Sequence, residues 1–172
     1  AEKKSTRDAN EGLVGIKTSE SGAAIVEINS ETDFVSRNSE FQSLVNNILD
    51  IAILENTDTA EKSTELINNA VAKIGENIVF KRSEYVSGKT FTYTHNKITD
   101  GLGKIGVILK FSNDEVSEEI GKNICMRIAA SSPKSLSEDD LDENLIENEK
   151  SILKEQLKDS GKPDEIISKM ID

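Results

Sequence analysis

Glu27-Ile-Asn-Ser-Glu-Thr-Asp-Phe-Val-Ser-Arg-Asn38 is the stretch on which the reading of this chain turns. It joins an apolar run, Ala23-Ala-Ile-Val-Glu-Ile28, to residues whose apolar members recur at helical spacing. Phe41, Leu44, Val45, Ile48 and Ala52 fall on one face of a helix. The stretch is therefore a junction between a strand and an amphipathic helix. It holds an aromatic, Phe34, in a polar turn between Asp33 and Arg37. Two readings stand side by side. Phe34 is a staple that folds back on the helix it precedes, or it is a surface residue at a junction, where function concentrates.

Working outward, Gly12-Leu-Val-Gly-Ile-Lys17 and the polar turn Thr18-Ser-Glu-Ser-Gly22 lie before the run. Two β-rich segments around a glycine-containing turn predict a hairpin. Beyond the first helix, a loop at Glu55-Asn-Thr-Asp58 leads to a second. Leu66, Ile67, Ala70, Val71 and Ile74 form its stripe, and Gly75 is placed to close it in a left-handed cap. Ile78-Val-Phe-Lys-Arg82 reads as a third strand.

The pattern then recurs loosely. Thr90-Phe-Thr-Tyr-Thr94 alternates in period two, Asp100-Gly101 and Gly103 mark a turn, and Ile105 to Phe111 reads as a strand. A helix is expected to open at Ser112, with Glu115 completing a capping box. Its expected inner face is Val116, Ile120, Ile124 and Ile128. The fold class is α+β: two small lobes, each an antiparallel sheet built on a hairpin with helices on one side. The expected divisions are a linker at 1–10, lobes at 11–87 and 88–160 split near Ser87-Gly88, and a last segment at 161–172. From Glu138 onward Leu141, Leu145, Ile152, Leu153 and Leu157 run down an acidic helix. Ser160-Gly161 is expected to close it, with Pro163 in the first turn of a helix carrying Ile166, Ile167 and Met170.

Composition narrows the function classes. The chain has 172 residues, 35% hydrophobic, with no Trp and a net charge of −11. That charge argues against nucleic acid as a direct partner, since phosphate contacts need surplus Lys and Arg. It argues equally against an anionic membrane surface. One cysteine, Cys125, leaves no internal disulfide or cysteine-rich zinc site. No apolar run approaches the ~20 residues that span a bilayer. The polar segment Ala1 to Asn10 is no signal peptide, so a soluble intracellular protein is expected.

The chemistry-bearing patterns are weak. Gly101-Leu-Gly-Lys-Ile-Gly106 has G-x-G-x-x-G spacing. A dinucleotide site needs a helix after it, whereas here a strand follows. His95 is the only histidine and has no zinc partners at suitable spacing. Glu138-Asp-Asp140 with Asp142 and Glu143 reads as a solvated first helical turn rather than a metal site. No cofactor, metal or catalytic residue is expected, and the absence suits a protein that works by binding.

The stretch quoted first closely resembles the signature segment of the elongation factor Ts family, nucleotide exchange factors for elongation factor Tu. Further segments fall in the family's order: Glu11-Gly-Leu-Val-Gly-Ile16, Lys73-Ile-Gly-Glu-Asn77, Tyr93-Thr-His-Asn96, Gly103-Lys-Ile-Gly-Val107, Ile128-Ala-Ala130 with Pro133, and Ser160-Gly-Lys-Pro163. The resemblance implies acceleration of GDP release from elongation factor Tu, without covalent chemistry, in the cytoplasm of a bacterium or in an organelle. Phe34 would insert between two helices of the partner's nucleotide-binding domain, and Asp33 would anchor it. Thr32 is expected to cap the following turn. Val35 would hold the turn on its own lobe. Ile74, Gly75 and His95 match positions at or near the same interface.

There are departures. The family signature carries Cys where this chain has Ser30. The family's N-terminal three-helix domain, distal coiled coil and C-terminal module have no counterpart here, so the resemblance concerns the core. The segment 161–172 would begin the coiled-coil arm, and the family's self-association uses regions only partly included. The rival classes are a module that binds without exchange, and a small hydrolase using His95 or Cys125.

Overall fold

The computed structural model describes residues 7–55, 59–113, 115–158 and 169. They group into two compact units divided between Ser131 and Ser132. The first contains two antiparallel sheets, so the α+β reading holds.

Strands β1 (Glu11–Ser19) and β2 (Gly22–Ser30) form the expected hairpin, in register from Ser19↔Gly22 to Glu11↔Ser30. β3 (Ile78–Ser87) pairs antiparallel with the other edge of β2. The register shifts between Glu27, opposite Arg82, and Ile28, opposite Phe80, leaving Lys81 as an extra residue. Along β2, Ala24, Val26 and Ile28 alternate onto the core face. Helix α1 (Ser39–Glu55) covers that face with Phe41, Leu44, Val45, Ile48, Leu49 and Ala52, all buried. Gly15 makes the approach possible: a Cβ there would lie 2.8 Å from both Leu49 Cδ1 and Val45 Cγ1. Helix α2 (Ala60–Ile74) lays its predicted stripe, Leu66, Ile67, Ala70, Val71 and Ile74, on the same core. Gly75 caps it at φ 87°, and its N–H donates to Val71 O.

β4 (Phe91–His95) and β6 (Ile105–Leu109) form the second sheet. Between them runs a two-residue strand, β5 (Leu102–Gly103), which pairs with β1 and extends the first sheet. The glycine-rich turn thus places Leu102 fully buried in the first core.

Helix α3 (Glu118–Ser131) differs from expectation at its start and on part of its inner face. Its cap is Ser117, whose Oγ accepts from Ile120 N at 3.3 Å and whose carbonyl accepts from Gly121 N at 3.0 Å. Ser112 and Glu115 lie ahead of the helix. The buried residues are Gly121, Cys125 and Ala129; of the expected face, Val116 and Ile128 pack on this core, while Ile120 is 53% exposed. The reason is steric. The Phe91 ring rests on Gly121, where an added Cβ would lie 2.1 Å from Phe91 Cδ1. That contact sets the rotation of the helix, and the ring meets Phe111 edge to face at 5.6 Å.

In the second unit, α4 (Glu143–Lys158) is capped by Asp142, whose Oδ1 accepts from Asn144 N at 2.9 Å. Leu141, Leu145, Ile146 and Leu153 line one open groove of this unit. The predicted stop at Ser160-Gly161 and the helix with Pro163, Ile166, Ile167 and Met170 lie outside the described residues.

Candidate functional site

The junction after β2 is one 3-10 turn, Asp33–Arg37. With about three residues per turn, neighbouring side chains point to different sides. Val35 is 6% exposed and Ser36 1%, whereas Phe34 is 80% exposed beside an exposed Asp33. Phe34 therefore does not fold back on α1 as a staple would. Val35 belongs to the first core and fixes the turn from below. The turn then locks into α1. Asn38 Oδ1 accepts from Glu40 N at 2.8 Å and Phe41 N at 3.3 Å, as an N-cap does. Gln42 Nε2 donates back to Ser36 O at 3.0 Å.

On its other side the turn is held by a crossed pair of carboxylates. Glu31 Oε1 accepts from Asn77 N at 2.6 Å. Glu76 accepts from Thr32 N at 3.1 Å and from Thr32 Oγ1 at 2.7 Å. Each loop gives a carboxylate to the other's backbone, and charge-assisted bonds of this kind are the stronger ones. The left-handed Gly75 turns the chain so that Glu76 and Asn77 face Glu31 and Thr32. Thr32 does not cap the 3-10 turn, which has no side-chain cap bond. Its hydroxyl goes to Glu76, because a carboxylate is the better acceptor and lies within reach. Ser30 Oγ donates to Thr32 O at 3.0 Å, so the small residue at that position also serves the loop. Ile74 is half-buried against the first core, next to the exposed aromatic's supporting loop.

His95 is exposed at the end of β4, with Nδ1 and the Tyr93 hydroxyl 3.0 Å apart. Lys104 links it to the Phe34 turn, its N–H donating to His95 O and its ammonium to Ser36 Oγ. The residues that pattern reading passed over are Glu31, Glu76, Asn77, Ser36 and Lys104. Glu76, Asn77 and Lys104 lie within segments already singled out by resemblance, and only their side-chain chemistry pointed to clamping.

The described residues contain no group of three or more His, Cys, Asp or Glu that could hold a metal ion. None of their helices is long and apolar enough to cross a membrane. Cys125 is buried, and burial pushes its thiol pKa up, which keeps it protonated and unreactive.

The family model described as "Elongation factor TS" matches residues 31–172. Elongation factor Ts from Paracoccus denitrificans is 46% identical over 183 residues, covering 100% of this chain and 62% of the relative. Elongation factor Ts from Bartonella tribocorum is 42% identical over 189 residues, with the same coverage of 100% and 62%. That from Dinoroseobacter shibae is 43% identical over 180 residues, covering 99% of the chain and 61% of the relative. The chain thus spans about 62% of the length of the curated relatives it matches. With a family model over residues 31–172 and relatives 42–46% identical across the whole chain, the chain belongs to the elongation factor Ts family.

Proposed function

We propose that this chain is the core of a guanine nucleotide exchange factor that promotes GDP release from elongation factor Tu during translation elongation. The observation that carries the reading is Phe34: a large aromatic, 80% exposed, on a turn whose flanks are fixed by Val35, Asn38 and the Glu31–Glu76 clamp. Burying one such ring contributes roughly 1.5–3 kcal/mol, the scale of an interface hot spot.

Exchange needs no bond chemistry. A protein that binds the nucleotide-free partner more tightly than the GDP-bound partner must weaken GDP by the same factor. In this reading Phe34 enters the partner's nucleotide-binding domain between two helices, and Asp33 provides a polar anchor at the rim. Ile74 and Gly75 line the adjoining surface, and His95 makes a separate contact. Thr32 and Val35 act from beneath, by aiming and holding the turn. The buried, protonated Cys125 supports a binding mechanism over a covalent one. The net charge of −11 favours a protein partner over nucleic acid or an anionic membrane. The bacterial relatives favour the bacterial cytoplasm as its location.

The test is stopped-flow release of a fluorescent GDP analogue from elongation factor Tu, with and without this chain. Faster release supports the proposal. The alternative reading is a module that binds without displacing GDP. Heat of binding by calorimetry with unaltered release would select it.

A further inference from the structure

We propose that Lys104 is a positioning residue that holds the Phe34 turn and His95 in one fixed relation, so that both meet the partner as a single surface. The proposal rests on the exchange-factor reading above.

Lys104 lies between β5 and β6, and its two ends are engaged in different places. Its backbone N–H donates to His95 O at 3.0 Å. Its ammonium donates to Ser36 Oγ at 3.1 Å, to Gly12 O at 3.1 Å and to the Glu11 carboxylate at 3.2 Å. An ammonium has three donors and no acceptor, so these contacts use its whole capacity. Ser36 is 1% exposed and in turn donates to Gly12 O at 3.0 Å. The lysine head therefore sits on the buried underside of the turn whose outer side is Phe34.

The backbone end is equally constrained. A Cβ on Gly103 would lie 2.6 Å from His95 O, so the chain leading into Lys104 runs tight against the end of β4. The Lys104 side chain is 30% exposed. An ion pair at that depth adds only modest stability, whereas three convergent bonds to a turn and a strand restrict their relative motion. Two contact residues fixed in advance lose less freedom on docking than two that move separately. The distinguishing signature is cooperativity between Phe34 and His95 transmitted through Lys104.

A double-mutant cycle on exchange efficiency, using the full chain with elongation factor Tu carrying a fluorescent GDP analogue, tests this. With Lys104 in place, the combined loss in Phe34→Ala/His95→Ala differs from the product of the single losses by about fivefold. In Lys104→Met, which keeps the aliphatic stem, the losses multiply to within about twofold. Lys104→Arg, which still donates to the Glu11 carboxylate, retains the coupling. Should Lys104→Met fail to fold, Glu11→Gln loosens the same ammonium from the exposed side and weakens the coupling in the same direction. Independent losses in the parent chain, or coupling that survives Lys104→Met, would overturn the proposal. If the parent chain does not release GDP, the exchange reading fails, and amide hydrogen exchange on the free protein decides the positioning role. Joint loss of protection at Val35–Asn38 and around His95 in Lys104→Met supports it, and unchanged protection refutes it.

Discussion

Phe34 and Leu136 are both large, apolar and turned to solvent, 80% and 95% exposed. Their surroundings differ. The residues on either side of Phe34 reach far along the chain: Thr32 to Glu76, Glu31 to Asn77, Ser36 to Gly12 and Lys104. Among the described residues, those around Leu136 bond locally, Ser135 Oγ to Ser137 O and Ser137 Oγ to Asp140 Oδ2. Scattered exposed apolar residues are ordinary. What marks Phe34 is the frame that holds it, because a fixed aromatic gives up little conformational freedom when a partner covers it.

Phe34→Ala is the largest test of that contrast. It should slow catalysed GDP release by about 10- to 100-fold while shifting stability by less than about 0.5 kcal/mol. A mutant that exchanges normally, or one that melts early, breaks the comparison. Val35→Ala should act first on stability. Opening a cavity under the turn costs about 2 kcal/mol, seen as a melting point about 4–8 °C lower.

Glu76→Ala sharpens the role of the frame. Loss of its bonds to Thr32 should cost about 1 kcal/mol of turn stability, or about fivefold in exchange efficiency, with hydrogen exchange rising at Thr32. Efficiency that stays at the parent level would mean the clamp is incidental. Leu136→Ser should change stability by less than about 0.5 kcal/mol and leave release unaltered. A clear loss of exchange in that variant would show that exposure, not framing, selects the contact residues.

The contrast also marks where sequence reading succeeds. The strand before the turn, the helix after it and the stripe of α2 follow from periodicity, because each element buries one face. Gly75 declares its cap by chemistry, since a left-handed φ of 87° favours glycine. The start of α3 is hidden for a local reason: Ser112 with Glu115 and Ser117 compete as caps, and only tertiary packing decides. Its inner face is legible only in part: Val116 and Ile128 pack inward as the pattern predicts, while Gly121, which carries no hydrophobic signal, receives the Phe91 ring. β5 and the clamp were illegible for another reason. A two-residue pairing and two carboxylates bonding to loops 44 and 46 residues away leave no periodic trace. Phe34 was legible as an oddity and by family resemblance, while its exposure required the fold.

The most direct test is the saturating rate of GDP-analogue release from elongation factor Tu, measured for the parent chain and Phe34→Ala over concentrations at which calorimetry shows the partner fully bound. The parent chain should accelerate release, and Phe34→Ala should bind yet lose most of the acceleration. Equal saturating rates for the two would contradict this.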